Sequence, residues 1–109
     1  MSDMTNSFRI AVQIGREQAE EILKDMSTKS CCLILDKNHV VVRSNEDFDD
    51  NLSKDKENGF LYYKSNIDFY PKDDGLELVG QIQLAKEIRS LFVKQGIRAE
   101  IIAEFEELL

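Results

Sequence analysis

Few side chains in this sequence could carry out chemistry. There are two cysteines, the adjacent Cys31 and Cys32, and a single histidine, His39. A cysteine nucleophile needs a base and positively charged surroundings, so His39 with one of the cysteines is the pair to consider. The formal net charge of −7 disfavours such a thiolate. We therefore expect His39 to be a solvated turn residue and the cysteines to be reduced thiols, at least one of them packed as a small apolar side chain.

Metal, phosphate and acid–base sites are equally poorly supported. One histidine and two neighbouring cysteines fall short of the ligand set that zinc requires. A disulfide between Cys31 and Cys32 would be strained, because adjacent residues of a strand point to opposite faces. The five glycines fall singly, without the spacing of a phosphate-binding loop. We expect no metal, no cofactor and no catalysis, and an enzyme using groups that the sequence does not identify is the third hypothesis.

The totals describe one domain covering residues 1–109. A hydrophobic content of 42% without a long apolar run predicts a globular protein that does not cross a membrane. The first ten residues lack the pattern of a secretory signal, so we expect a cytoplasmic protein. The negative charge would repel nucleic acid and attract a basic protein.

Hydrophobic spacing predicts the elements that position these groups. They are, in chain order, a strand over 8–14, a helix over 16–27, a hairpin of strands over 31–35 and 40–43 with its turn at 36–39, a strand over 59–70, a helix over 76–95 and a strand over 97–105. Alternation of apolar and polar residues favours a largely antiparallel sheet with one exposed face. The predicted fold is therefore α+β, a ferredoxin-like sandwich with both helices on one face and an added strand.

A long acidic loop, residues 45–59, precedes the most aromatic strand. It holds six acidic residues and two lysines. Within it, Phe48 and Leu52 lie four apart, which suits one short helical turn. Connections of this length are usually functional or disordered.

The strand over 59–70 carries aromatic residues on both predicted faces. We expect its odd positions to be buried, among them Leu61 and Tyr63, and Tyr62 and Tyr70 to be exposed. Exposed tyrosines near acids suit a binding surface for a basic protein, although they could simply cover the edge of the sheet. The residues predicted to contact such a partner are Tyr62, Tyr70, Asp68, Asp73, Asp74, Asp49, Asp50 and Glu104.

The second half of the chain resembles small bacterial proteins, some of them encoded near polymorphic toxins. The shared pattern is an aromatic strand ending in proline, then a helix, a glycine and a strand closing on phenylalanine, acids and leucine. The matching residues are Phe60, Tyr62, Ile67, Pro71, Leu91, Gly96, Ala103, Phe105, Glu106, Glu107 and Leu108. The resemblance implies an immunity-like or otherwise uncharacterised role, with no catalytic residues to carry over.

Two main hypotheses follow from the sequence. The first is a non-catalytic protein-binding module, in concrete form an immunity-type inhibitor of a basic toxin domain, either monomeric or homodimeric. The alternative is a small-molecule-sensing or regulatory α+β domain that is dimeric. A deep pocket would favour the alternative, and a flat surface of acids and aromatic residues would favour the first.

Overall fold

The computed structural model describes residues 7–27, 38–55, 59–72 and 78–103. Its elements are β1 Phe8–Val12, α1 Arg16–Ser27, β2 Asn38–Ser44, β3 Ser65–Pro71, α2 Leu78–Lys94 and β4 Ala99–Ala103. Two short 3₁₀ turns, Leu52–Lys54 and Gly59–Tyr62, lie between β2 and β3. Of the helices described, neither combines the length and the apolar character that a membrane span needs.

The four strands form one sheet in the order β2-β3-β1-β4, and every neighbouring pair is antiparallel. With a helix after β1 and another after β3, this is the connectivity of a ferredoxin-like sandwich. The structure thus confirms the predicted α+β fold with an antiparallel sheet. The added strand expected over 31–35, and with it Cys31 and Cys32, lies outside the described residues.

Both helices cover the same face of the sheet. In the register of the strands, Phe8 lies opposite Phe69 and Ile10 opposite Ile67. The rings of Phe8 and Phe69 are stacked, with centroids 4.4 Å apart. One buried cluster joins these strands to both helices; from the helices it contains Ala19, Leu23, Leu84, Ala85, Ile88 and Phe92. Burial of each large apolar side chain contributes about 1.5 to 3 kcal/mol, so this layer supplies most of the favourable free energy of folding.

Gly96 ends α2 as the sequence predicts. Its φ of 79° is in the left-handed region, which glycine adopts without a steric penalty. The amide of Gly96 donates to the Val93 carbonyl and the amide of Ile97 donates to the Phe92 carbonyl. These two hydrogen bonds form a Schellman motif, which satisfies the last carbonyls of the helix and turns the chain toward β4.

A buried pair of amides joins β2 to α2. The side chain of Asn38 donates to Gln81 over 3.0 Å, and the side chain of Gln81 donates back over 2.8 Å. Both residues are buried, at 4% and 0% exposure. Asn38 lies in β2 opposite Pro71, and His39 lies opposite Tyr70. The prediction that residues 38 and 39 belong to a turn was wrong, because both residues pair with β3 and the buried amide pair holds Asn38 against α2.

The predicted strand over 59–70 is also corrected. β3 begins only at Ser65, and Gly59–Tyr62 forms a 3₁₀ turn. The main-chain carbonyls of Leu61 and Tyr63 accept hydrogen bonds from the side chain of Asn45, and both residues precede β3. Leu61 consequently points outward at 50% exposure, whereas the predicted burial of Tyr63, Ile67 and Phe69 is confirmed.

The close approach of the two 3₁₀ turns leads to the first prediction. A Cβ added at Gly59 would overlap the main-chain carbonyl of Ser53, whereas one at Gly15 would meet only the Gln18 side chain, at 3.9 Å. We expect Gly59→Ala to lower the free energy of unfolding by about 1 to 3 kcal/mol. Gly15→Ala, which alters only the first residue before α1, should cost less than about 1 kcal/mol. Urea denaturation measures both, and equal stability of the two variants would contradict this packing.

Candidate partner-binding site

A shallow cleft lies along the loop between β2 and β3. It has a volume of about 500 Å³ and is lined by Glu46, Asp47, Phe48, Asp49, Leu52, Leu61 and Tyr62, which together are called the acidic cleft below. Three of its apolar side chains are well exposed: Phe48 at 41%, Leu52 at 49% and Leu61 at 50%. The site therefore combines apolar contact area with carboxylates.

Side-chain hydrogen bonds within the loop fix the shape of the acidic cleft. The carboxylate of Asp49 accepts hydrogen bonds from the amides of Asn51 and Leu52, at 2.9 and 3.0 Å. The side-chain oxygen of Asn45 accepts one from the amide of Asp47 at 3.0 Å. Such local bonds stabilise turns in place of a regular helix or strand. The loop is thus ordered over its described residues, and Asp49 acts in it as a turn-forming residue.

Further hydrogen bonds hold the loop on the sheet. The Gln13 side chain donates to the hydroxyl of Ser53 and accepts from the amide of Lys64, each over 2.9 Å. The amide of Asn45 donates to the Lys64 carbonyl. Arg98 donates to the main-chain carbonyl of Ser53. Because these bonds come from the ends of β1, β2 and β4, the cleft is positioned by the rigid part of the fold.

The rim of the acidic cleft is negatively charged. The carboxylates of Glu46 and Asp47 lie on exposed residues, and Asp50 is exposed in the same turn. The Lys64 amine lies 5.8 Å from the centre of the Phe48 ring. An exposed contact of this kind contributes about 0.5 to 1 kcal/mol. The residues that line the cleft include three acids and no lysine or arginine, so the described rim has an excess of acidic groups.

The residues predicted to contact a partner fall into three groups. Tyr62 and Asp49 line the acidic cleft, and Asp50 adjoins them. Tyr70 and Asp68 lie in β3, on the face of the sheet away from the helices. Tyr70 is exposed, at 41%. It is separated from the start of β3 by roughly 17 Å of strand, so it cannot act with Tyr62 as one compact anchor. Asp73, Asp74 and Glu104 lie outside the described residues.

Asp68 does not belong to an acidic surface. The residue is only 4% exposed. Arg9 donates to its two carboxylate oxygens over 2.6 and 3.2 Å, and the Nε of Arg43 lies 3.6 Å from it. The hydrogen bond with Asp68 raises the pKa of Arg9, which outweighs the lowering by partial burial. Two arginines thus neutralise this carboxylate, and its role is to join β3 to its neighbouring strands.

The apolar side chains of the acidic cleft were only partly anticipated. The spacing of Phe48 and Leu52 predicts one short helical turn, and Leu52 does begin the 3₁₀ turn Leu52–Lys54. Leu61 fits the alternation of the predicted strand over 59–70, which places it in the core, whereas the structure has it half exposed. The signal that could have exposed this error is Gly59, a common start of irregular structure, next to a loop rich in aspartate and asparagine.

No group of three or more potential metal ligands occurs among the residues that the structure describes. Nor do comparisons with known proteins assign an activity: no family model, curated protein or solved structure matches this chain. The resemblance to toxin-associated proteins therefore stays a prediction. The case for a function has to come from the geometry of the acidic cleft.

Neighbouring residues at the acidic cleft should differ sharply in their effect on stability. Tyr63 is 4% exposed and lies beneath the guanidinium of Arg98, whereas Leu61 is half exposed. Tyr63→Ala should lower the free energy of unfolding by about 3 to 5 kcal/mol because it leaves a large cavity. Leu61→Ala should change it by less than about 1 kcal/mol. If denaturant unfolding showed a larger loss for Leu61→Ala, the outward orientation of this side chain would be wrong.

Proposed function

We propose that this protein is a non-catalytic protein-binding module that binds a basic partner through the acidic cleft. The observation that carries the proposal is the group of exposed apolar side chains, Phe48, Leu52 and Leu61, within a rim of carboxylates. Contiguous exposed apolar surface with a polar rim is typical of interaction sites. The rim chemistry specifies a partner that presents lysine or arginine around an apolar anchor.

The order of the loop supports binding with a low entropic cost. Asp49 and Asn45 hold the main chain of the acidic cleft through side-chain hydrogen bonds. A surface already in its binding conformation loses less freedom when the partner arrives. Tyr62 adds a large side chain with a polar tip at the same place, which suits an interface better than a purely aliphatic residue does.

The shape of the surface favours a protein over a small ligand. The acidic cleft, of about 500 Å³, and a second cleft beside β4, of about 570 Å³, both open broadly to solvent. A site for a small molecule usually encloses most of the ligand surface. For this reason the protein-binding hypothesis is preferred here to a small-molecule-sensing domain.

The concrete form of the proposal is an immunity-type inhibitor of a basic toxin domain. Its support is the resemblance of the second half of the chain together with the formal net charge of −7. An acidic inhibitor would associate rapidly with a basic toxin through electrostatic steering. A toxin gene upstream of the gene for this protein would be the most direct genetic support.

The binding proposal is tested with two matched substitutions. Leu61→Asp places a charge within the acidic cleft, and Val79→Asp places the same charge on an exposed valine of α2, which is 71% exposed. Proteins captured from an extract of the native host are identified, and the candidate partner is purified. Leu61→Asp should weaken its binding at least about tenfold, while Val79→Asp should leave the affinity unchanged.

Kinetics on the purified pair give the second readout. The partner should be basic, and its association rate should fall as salt is raised, because ions screen the acidic rim. Thermal unfolding of both variants checks that each remains folded. Equal affinity of the two variants, or an association rate that does not change with salt concentration, would overturn the proposal.

A further inference from the structure

The last strand of the sheet has a strand neighbour on one side only, among the described residues. β4 pairs with β1, and β1 in turn pairs with β3. The amide of Gln13 donates to the carbonyl of Arg98 over 2.9 Å, which shows that the main chain of residue 98 points toward β1. Because this direction alternates along a strand, residues 99, 101 and 103 point their main-chain groups away from β1.

Arg89 contacts one of these outward-pointing groups. Its Nε donates to the carbonyl of Ala99 over 3.0 Å. A carbonyl oxygen has two lone pairs, so it can accept a second donor as well. Ala99 itself is buried at 4% exposure, whereas Ile101 and Ala103 are partly exposed. A second strand would therefore reach the outward groups of Ile101 and Ala103 directly and would share the Ala99 carbonyl with Arg89.

The sequence of β4 does not protect this edge. Edge strands of soluble proteins usually carry proline, lysine or a bulge that blocks pairing with another chain. β4 reads AEIIA, with no proline and no lysine, and its register with β1 is continuous over all five residues. Its protection is limited to the charge of Glu100 and the contact of Arg89 at Ala99. Such a strand is a template for a further strand.

We propose that the free edge of β4 pairs antiparallel with β4 of a second copy of this chain, around a two-fold axis at Ile101. In this register Ile101 lies opposite its own counterpart, and Ala99 lies opposite Ala103. The three outward-pointing residues of one copy then meet those of the other, which is the arrangement that antiparallel hydrogen bonds require. Two-fold pairing makes one continuous sheet and leaves neither β4 edge free.

The side chains suit this register on both faces. On the helix-covered face the apposed residues are alanine and isoleucine, which are small or apolar enough to lie side by side. On the opposite face Glu100 meets Ile102 of the second copy, so the two glutamates are not directly opposed. Like charges directly opposite each other would destabilise the pair.

Charge complementarity extends beyond the strand ends. The antiparallel register brings Ala103, the last described residue of one copy, beside the start of β4 of the other. Arg89 and Arg98 line a cleft there, together with Asp55 and Glu100. The sequence that follows Ala103 contains Glu104, Glu106 and Glu107, so its charge is opposite to that of the two arginines. This inference is independent of the acidic cleft and of the partner proposed for it.

Charge substitutions at position 102 test the pairing in the full-length protein. Ile102→Glu places two acids opposite each other, Glu100 and the new one, whereas Ile102→Lys removes the same apolar side chain but gives Glu100 an opposite charge. We expect the wild-type protein to form dimers in sedimentation velocity over micromolar to millimolar concentrations. Ile102→Glu should raise the dissociation constant of the dimer at least about tenfold relative to Ile102→Lys.

A double variant distinguishes this interface from any other. Combining Glu100→Lys with Ile102→Glu restores opposite charges across the two-fold axis and should recover dimerisation. Circular dichroism checks that every variant keeps the fold, which is expected because position 102 lies on the face away from the core. The proposal would be overturned if the wild-type protein stayed monomeric, or if Ile102→Glu left the dissociation constant of the dimer unchanged.

Discussion

The side-chain amide of Asn45 is the constraint on which the shape of the acidic cleft depends. It donates to the main-chain carbonyls of Leu61 and Tyr63 at 3.0 and 2.8 Å, while its oxygen accepts from Asp47. One residue at the end of β2 thus fixes the loop that follows it and the segment that leads into β3. It also decides which side chains face outward: Leu61 joins the acidic cleft and Tyr63 enters the protein. Hydrogen bonds of a residue outside the cleft thus help to set its shape.

Local spacing predicted the parts of this fold that local forces determine. The helix over 16–27, the end of α2 at Gly96 and the antiparallel sheet all follow from periodicity and from glycine geometry. The irregular segment before β3 does not, because Leu61 there is bonded to Asn45, 16 residues earlier in the sequence. Alternation continues through residues 61–64 even though the strand does not. The alternating sequence pattern and the structure differ at the segment where the Asn45 side chain bonds the main-chain carbonyls of Leu61 and Tyr63.

The charged residues of the candidate site also could not be placed from the sequence alone. An aspartate in an acidic chain suggests a solvated carboxylate, which is true of Asp50 but not of Asp68. What distinguishes them is the strand register that brings Arg9 directly opposite Asp68. The open face of the sheet consequently carries two arginines around one neutralised carboxylate. A basic partner would approach the acidic cleft in preference to this face, so the net charge alone does not say where binding occurs.

The reciprocal amide pair between Asn38 and Gln81 restricts how this sequence can change over evolutionary time. Replacing either residue with an apolar one would leave a buried donor and acceptor of the other without this partner, which lowers the free energy of unfolding by about 1 to 3 kcal/mol. Replacing both with apolar residues of similar shape removes that penalty. Relatives of this protein should therefore keep both amides or have lost both. Covariation of positions 38 and 81 would mark the contact between β2 and α2 in any related sequence, including one whose acidic cleft had diverged.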